Sequence, residues 1–525
     1  MKNLLTYSAA FVSGAILMGL EMLGSRVLAP FFGTSIFVWG GLIGVVLVAL
    51  SVGYYAGGRL ADRYPEKGPL ALIFALTGTW TAFLPVMARV SLPVVAASFD
   101  TRSGSVFAAF LLFFFPGTLL AMVSPWCLRL SISSVEASGR VSGLLYAISN
   151  LGSIAGTFLT SFYLIPQASA DRILRWFSVS LAFLAVAVVL SARKRTLSLI
   201  VSLFTLVSII AGLQSYPIYP WHGIIYETQS LYHHIFVEDR GRQRLLRFDD
   251  SIQGGMFRDD PYESSYPYAD YFHLALCFND NIRDVLMIGL GAGLVPKRFY
   301  RDYPEMYLDV AEIDEKVEEV ARKYFGLPES ERLKVYVKDG RIYLKETSKR
   351  YDLIMVDAYY ADSIPFHLAT VEFYELVRER LNPGGVVACN IIGALSGPNS
   401  KLFRSMYFTF ARVFPANFVF PVDYSEDSEY FYRNIIVFGV KTGDRGATGN
   451  VGGTGQSDAT GELVPAEALS RDEIIKRAEA LSREKVTIKR FPEIARNLYQ
   501  RQIDPEDVVL LTDEYAPVDA LLHLY

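Results

Sequence analysis

From residue 1 to about residue 214 the chain alternates long apolar stretches with short polar breaks. Seven stretches, roughly 6–29, 38–58, 69–92, 105–128, 142–165, 173–191 and 196–214, approach the about 20 apolar residues that one membrane-spanning helix needs. The first is too long, and too quickly followed by others, for a cleaved signal peptide. Past residue 214 the pattern changes. Residues 222–257 alternate apolar and polar positions in three short runs, Gly223–Thr228, His234–Glu238 and Arg244–Phe248, which predicts antiparallel hairpins. Residues 262–278 are aromatic-rich and end in an apolar run, which predicts helix. Five apolar strands then alternate with helical segments such as Glu315–Phe325 and Thr370–Leu381. Strand–helix alternation of this kind predicts a doubly wound, mainly parallel sheet.

The pattern divides the chain into a transmembrane helical domain of about seven spans (1–214), a small β-hairpin domain with a connecting helix (215–280), a Rossmann-like domain (281–440), a Gly/Thr/Ser-rich flexible linker (441–465) and a C-terminal helical segment closing on the sheet (466–525). Charge sharpens this division. Residues 1–214 carry 14 Lys/Arg against 6 Asp/Glu, while the rest carries 36 against 48. The acidic second half excludes a nucleic-acid footprint. Three cysteines, Cys127, Cys277 and Cys389, supply neither a disulfide framework nor a CxxC metal site.

In the apolar half, Gly53, Gly57 and Gly58, and then Gly152, Ser153, Gly156 and Thr157, are spaced for close helix–helix approach. Glu21 and Arg26 lie inside the first stretch, where a charge needs a partner, a cavity or an interface. They are five residues apart and do not stack on one helix face. Either a pathway role or structural pairing fits them.

In the acidic half, chemistry gathers at strand ends. The strand Asp284–Ile288 runs into Gly289, Gly291 and Gly293. Such glycines allow a tight turn and bare backbone against a ligand at a helix N-terminus. The next strand ends at Glu312, placed to accept hydrogen bonds from ribose hydroxyls. The third ends at Asp339-Gly340 and the fourth at Asp357. Three acids at three successive strand ends point to a ligand site rather than to helix caps alone.

This order of strand ends resembles the spermidine synthase (polyamine aminopropyltransferase) family, which shares the fold of class I S-adenosylmethionine methyltransferases. Ser230-Leu-Tyr232-His233 and Phe248-Asp249-Asp-Ser-Ile-Gln253 look like two further family segments, and the resemblance covers about 222–440. Glu21-Met-Leu-Gly-Ser-Arg26, Gly53–Arg63 and Leu511-Thr-Asp513-Glu-Tyr515-Ala-Pro517 look like its membrane-fused branch. The resemblance implies a multi-pass α-helical membrane domain joined to a methyltransferase-type α/β domain. It implies an aminopropyl transfer from decarboxylated S-adenosylmethionine to an amine, without a metal. Glu312 would hold the ribose, Asp339 and Gly340 the adenine, and Gln253 and Asp249 the entrance. Asp357 would take the proton from the attacking amine.

The departures bear on the acceptor. Ala292 stands where the family has Asp, Tyr268-Ala-Asp270-Tyr271 lacks its His, Tyr360 replaces its second Asp, and His233 replaces its Gln. His233, Tyr268, Asp270, Tyr360 and Asp362 are therefore the candidate substrate-binding residues, and His367 is a further unassigned histidine. The tyrosines at 262, 266, 268, 271, 359 and 360, with Phe272, would either cage a cation or pack under a lid. Two alternatives stay open. One is a methyl- or alkyltransferase using S-adenosylmethionine itself, since Ala292 removes a carboxylate that would repel the methionine carboxylate. The other is a transporter-like protein whose degenerate second half senses a nucleoside. Expected partners are a small amine and the lipid bilayer, with a second copy of the chain as a further candidate. Counting Lys/Arg, nine flank the N-terminal side of the spans and five the other, which puts the N-terminus in the cytoplasm. Seven spans would then place the second half outside, whereas a cytosolic co-substrate requires it inside the cell (inner) membrane.

Overall fold

The computed structural model describes residues 2–33, 36–132, 134, 138–191, 195–213, 223–249, 251–359, 364–442 and 469–521. The expected linker at 441–465 lies almost wholly outside these residues. Two units are resolved: 1–222 with 227–235, and 223–226 with 236–524.

The first unit is a helical bundle. Its helices are α1 (Lys2–Phe32), α2 (Ile36–Arg63), α3 (Lys67–Ser98), α4 (Thr101–Ser131), α5 (Ser138–Gln167), α6 (Ala170–Leu190) and α7 (Arg195–Leu213). All seven predicted segments are helical. Six of them, α1 to α6, are long and apolar enough to cross a membrane. The seventh expected segment is helical as α7, and the residues flanking it, 192–194 and 214–222, lie outside the described ones.

Small residues let these helices touch backbone to backbone. A Cβ on Gly152 would stand 2.0 Å from the Phe11 carbonyl oxygen, and one on Gly156 2.1 Å from that of Ala15. Gly53 meets the Thr118 carbonyl in the same way, at 2.4 Å, whereas Gly58 has open space. Prolines shape the long helices. Pro116 has no N–H for the carbonyl of Leu112 and its ring crowds that turn. The helix widens to π geometry over Phe110–Phe114, just before it. The Leu112 carbonyl accepts instead from Trp80 Nε1 at 3.0 Å. The same widening, over Thr160–Leu164, precedes Pro166 in α5. Arg26 does not pair with Glu21. It donates to the carbonyls of Leu231 at 2.6 Å and Tyr232 at 3.1 Å, both residues of the same unit.

Strands β1 (Ile224–Gln229), β2 (His234–Arg240), β3 (Gln243–Phe248) and β4 (Ser251–Phe257) form a four-stranded sheet in sequence order. A seven-stranded sheet follows: β5 (Asp284–Ile288), β6 (Tyr307–Glu312), β7 (Leu333–Val337), β8 (Tyr351–Val356), β9 (Leu381–Gly393), β10 (Asn417–Pro421) and β11 (Arg433–Val440). Its order is β10-β11-β9-β8-β5-β6-β7, with β5 to β9 parallel and β11 antiparallel to both neighbours. This is the doubly wound methyltransferase-type arrangement expected. The sequence of strands reverses direction between β5 and β8, the place where such sheets open a crevice.

The inner strands read as continuous apolar runs because helices cover both faces. Val285–Ile288 and Leu353–Val356 are buried throughout. The helices that matter for the crevice are α8 (Leu294–Asp302), α9 (Glu315–Phe325), α10 (Gly340–Glu346), α11 (Val371–Arg380) and α12 (Lys401–Val413). α9 shows why a helix starts and stops where it does. Asp314 caps its first turn through the Lys316 N–H, and Gly326 ends it at φ 68°. Glu315 and Glu318 sit at the positive end, and Arg322 and Lys323 at the negative end.

The backbone contacts in the bundle give a paired expectation. Gly152→Leu should cost about 1–3 kcal/mol by overpacking, while Gly58→Leu should be close to neutral. Thermal unfolding of the detergent-solubilised protein measures both, and equal midpoints would contradict the packing.

Candidate functional site

Tight backbone crossing builds the site. Gly289 ends β5 at φ 91°, and a Cβ there would stand 2.1 Å from the Asp357 carbonyl oxygen at the end of β8. No other residue fits, so the glycine loop and the Asp357 strand end meet directly. The Asp357 N–H donates to the Ile288 carbonyl at 2.9 Å and extends the pairing by one residue. Gly291, at φ 52°, has open space over it, with only the Gln253 carbonyl at 3.8 Å from where a Cβ would sit. That is a cradle of bare backbone at the N-terminus of α8, roofed by β4. Ala292 is buried, and its methyl lies 3.5 Å from the Cβ position of Gly254.

Three acids line this crevice, each held mainly by N–H donors. Glu312 accepts from the Leu290 N–H with one oxygen and the Asp314 N–H with the other, both at 2.9 Å. Burial pushes its carboxyl up to about 7, against the pull of those N–H groups. Asp339 caps α10 through the Ile342 N–H at 2.9 Å, and its other oxygen meets His367 Nε2 at 2.9 Å. Its carboxyl lies below the usual range: burial works against this, but His367 and the α10 N–H groups outweigh it. Asp357 accepts from Asn390 Nδ2 at 2.9 Å and from the Tyr268 hydroxyl. Burial raises its carboxyl above the usual range, while those two bonds act to lower it.

The other expected residues divide. Tyr268 joins Asp357, and burial pushes its phenol well up. Tyr359 lies beside them, its hydroxyl donating to the Asn390 carbonyl at 2.8 Å and accepting from the Ile392 N–H at 2.9 Å. Asp270 stands among Arg298, Glu263, Asp302 and Lys489, and burial raises it to about 6. Tyr262 lies under Arg301, 4.4 Å from the guanidinium to the ring centre, so its face is taken by the protein's own cation. Tyr271 accepts from Asn497 Nδ2 at 2.6 Å, and Phe272 is buried. These three pack rather than cage. His233 belongs to the first unit, and burial, with Arg26 nearby, lowers its imidazole to about 3. Tyr360 and Asp362 lie outside the described residues. Among the described residues no group of three His, Cys, Asp or Glu side chains is arranged to hold a metal.

Two parts of the arrangement are not predicted from the sequence as contacts, although Asp513 lies in the segment expected to close on the sheet. Asn390 sits in the interior of β9 and reaches Asp357 because β8 and β9 pair in parallel, Val356 opposite Cys389. Asn434 Nδ2 donates to Asn390 Oδ1 at 3.1 Å, which orients the amide with its NH2 toward Asp357. The second part is a clasp. Buried Arg341, next to Gly340, donates twice to Asp513, at 2.7 and 2.6 Å, and once to the His367 carbonyl at 3.1 Å. Thr370 Oγ1 also donates to Asp513, at 2.8 Å.

Residues 268–402 match the model of the spermine/spermidine synthase domain. The chain is 33% identical over 199 residues to the polyamine aminopropyltransferase of Vibrio vulnificus, covering 36% of this chain and 65% of that one. It is 29% identical over 229 residues to a probable polyamine aminopropyl transferase of Bifidobacterium longum, covering 43% and 50%. A polyamine aminopropyltransferase 2 of Aquifex aeolicus matches at 22% over 370 residues, covering 67% and 72%. The chain thus spans about half to two thirds of the first two relatives. The solved spermidine synthase of Thermotoga maritima is similar at 22% identity, covering 42% of this chain and 72% of that one, with a TM-score of 0.35.

Both Asn390→Ala and Tyr268→Phe remove a bond that lowers the Asp357 carboxyl. Each should move its titration further upward, read by carboxyl infrared bands of labelled protein; a downward move would refute the assignment. Asp513→Asn removes the charge paired with Arg341; Asp513 is itself exposed, so the expected cost is about 1–2 kcal/mol; urea unfolding checks it, and no measurable cost would count against the clasp.

Proposed function

We propose that this chain, which carries a spermine/spermidine synthase domain, is a membrane-bound aminopropyltransferase-like enzyme. It moves an aminopropyl group from decarboxylated S-adenosylmethionine to a small amine. The observation that supports this best is Asp357, pressed against the glycine loop and bonded by Asn390 and Tyr268. A nucleoside sensor needs no such base.

In this reading the adenosine part lies along the strand ends. Gly291 leaves room for it, Gly289 and Gly293 shape the turn that carries it, and Glu312 offers its remaining lone pairs to the ribose hydroxyls. Asp339 and Gly340 bracket the base, and Gln253 closes over it. Asp357 accepts a proton from the acceptor ammonium, which frees the nitrogen lone pair. That nitrogen attacks the carbon next to the sulfonium, and the C–S electrons leave with methylthioadenosine. Alignment of nucleophile and carbon contributes most of the remaining rate. Tyr268 and Tyr359 flank the reacting centre. His233, Asp270, Tyr360 and Asp362 stay candidates for binding the acceptor, and Arg298 acts on Asp270.

Ala292 favours a second reading. Without a carboxylate in the loop, S-adenosylmethionine itself meets less repulsion, and the same crevice would support methyl or alkyl transfer. Calorimetry with the two nucleosides separates them; tighter binding of the carboxylated form would sink the first reading. In this reading α7 does not cross, and six spans put an N-terminal flank and the second unit both in the cytoplasm, as a cytosolic co-substrate requires. Protease accessibility in intact spheroplasts tests this, and cleavage of the second unit from outside would reverse it.

Asp357→Asn should abolish turnover and leave nucleoside binding nearly intact. The pH dependence has a definite sign. The base acts unprotonated and its carboxyl is raised, so turnover should rise with pH along a limb lying above the ordinary carboxylate range. Turnover that survives the substitution, or a limb at ordinary carboxylate values, would exclude Asp357 as the base.

A further inference from the structure

Glu21 is the ionisable group that none of this uses. It lies in α1, close to the middle of the span Leu4–Phe32, at a relative exposure of 9%. Among the described residues nothing hydrogen-bonds or ion-pairs with its carboxyl, and no charged or phenolic group of the helices packed on α1 acts on it. The candidate cation on its own helix, Arg26, is engaged with the carbonyls of Leu231 and Tyr232. Asp62 and Arg129 pair with each other, as do Asp171 and Arg175.

The surroundings of Glu21 follow from its helical neighbours. Leu17 and Gly24, at i−4 and i+3, share its face. A Cβ on Gly117 of α4 would lie 3.9 Å from Leu17 and 3.2 Å from Ala49 of α2. A Cβ on Gly24 would meet Leu42 at 2.9 Å and Phe113 at 3.3 Å. Glu21 therefore looks toward α2 and toward the Phe113–Gly117 stretch of α4. There the helix is widened to π geometry and broken by Pro116, an irregularity that recurs at functional sites. An isolated carboxylate at this depth is expensive, and a bundle that only anchored the chain would have no use for one.

We propose that Glu21 is a proton-binding site of the membrane bundle, which takes up and releases a proton against the Phe113–Gly117 turn of α4. The charge of the bundle interior then changes with its occupancy. The bundle has a proton-linked role of its own, whatever the second unit transfers.

Dicyclohexylcarbodiimide tests this on the full-length protein in lipid vesicles. The reagent adds only to a protonated carboxyl in apolar surroundings. The carboxyl proton passes to a carbodiimide nitrogen, the oxygen adds to the central carbon, and rearrangement gives an N-acylurea with no leaving group. The adduct should map by peptide mass spectrometry to Glu21. Its rate should fall about tenfold per pH unit once the carboxyl titrates. Glu21→Asp should keep the pH-dependent labelling and Glu21→Gln should lose it, with both variants eluting and showing helical dichroism like the parent. Absence of the adduct at mildly acidic pH would overturn the proposal. So would a labelling rate unchanged from mildly acidic to alkaline pH, since a permanently protonated carboxyl exchanges nothing.

Discussion

The second unit depends on one steric constraint, the crossing of Gly289 over the backbone of Asp357. With 2.1 Å available where a Cβ would stand, side chains are excluded from that point. β5 and β8 can then end at the same level, and their pairing runs on to the Asp357 N–H. Everything with chemistry hangs from this junction. The glycine loop turns away on one side into α8, and Asp357 on the other side faces Asn390. Gly340 adds a second tight fit, since a Cβ there would stand 2.2 Å from Ile288. Strand ends two positions apart in the sheet are thereby held at van der Waals range.

The electrostatics follow from the same geometry. Glu312, Asp339 and Asp357 are held by peptide N–H groups, an amide, a hydroxyl and an imidazole, with no Lys or Arg side chain bonded to any of them among the described residues. Dipoles orient a carboxylate without neutralising it. The carboxylates of the crevice are therefore oriented but not neutralised, at a cost visible in Glu312 and Asp357, whose carboxyls burial pushes upward. Arg341, the cation that does come close, is drawn off to Asp513 and a peptide carbonyl.

What could be read in the sequence was what repeats with a period or must sit at a strand end. Glu312, Asp339 and Asp357 stood out because each follows an apolar run, and the sheet does bring their strands side by side. The six long helices were legible from length alone. α7 reads as mainly apolar from Leu197 to Leu213, and its flanks lie outside the described residues. Asn390 was invisible because a polar residue inside an apolar strand gives no hint of its neighbour across the register. Asn434 arrives through the antiparallel return of β11, a pairing between distant residues. By composition the tyrosines at 262 and 271 fit a cage or packing equally, and each is held by a nearby side chain, Arg301 and Asn497. His367 had no assigned partner until the chain brought it to Asp339.

The clasp of Arg341 on Asp513 joins residues 172 positions apart. At the speed of synthesis, on the order of 5–20 residues per second, the guanidinium waits roughly ten to thirty seconds on the ribosome for its carboxylate. Until then the turn after β7 holds a cation destined for burial with nothing to neutralise it. The strands can pair as they emerge, but the Asp339–Arg341 end of the crevice must mature late, after the bundle and most of the sheet have been made. The order of the sequence itself thus times when this end of the crevice is complete.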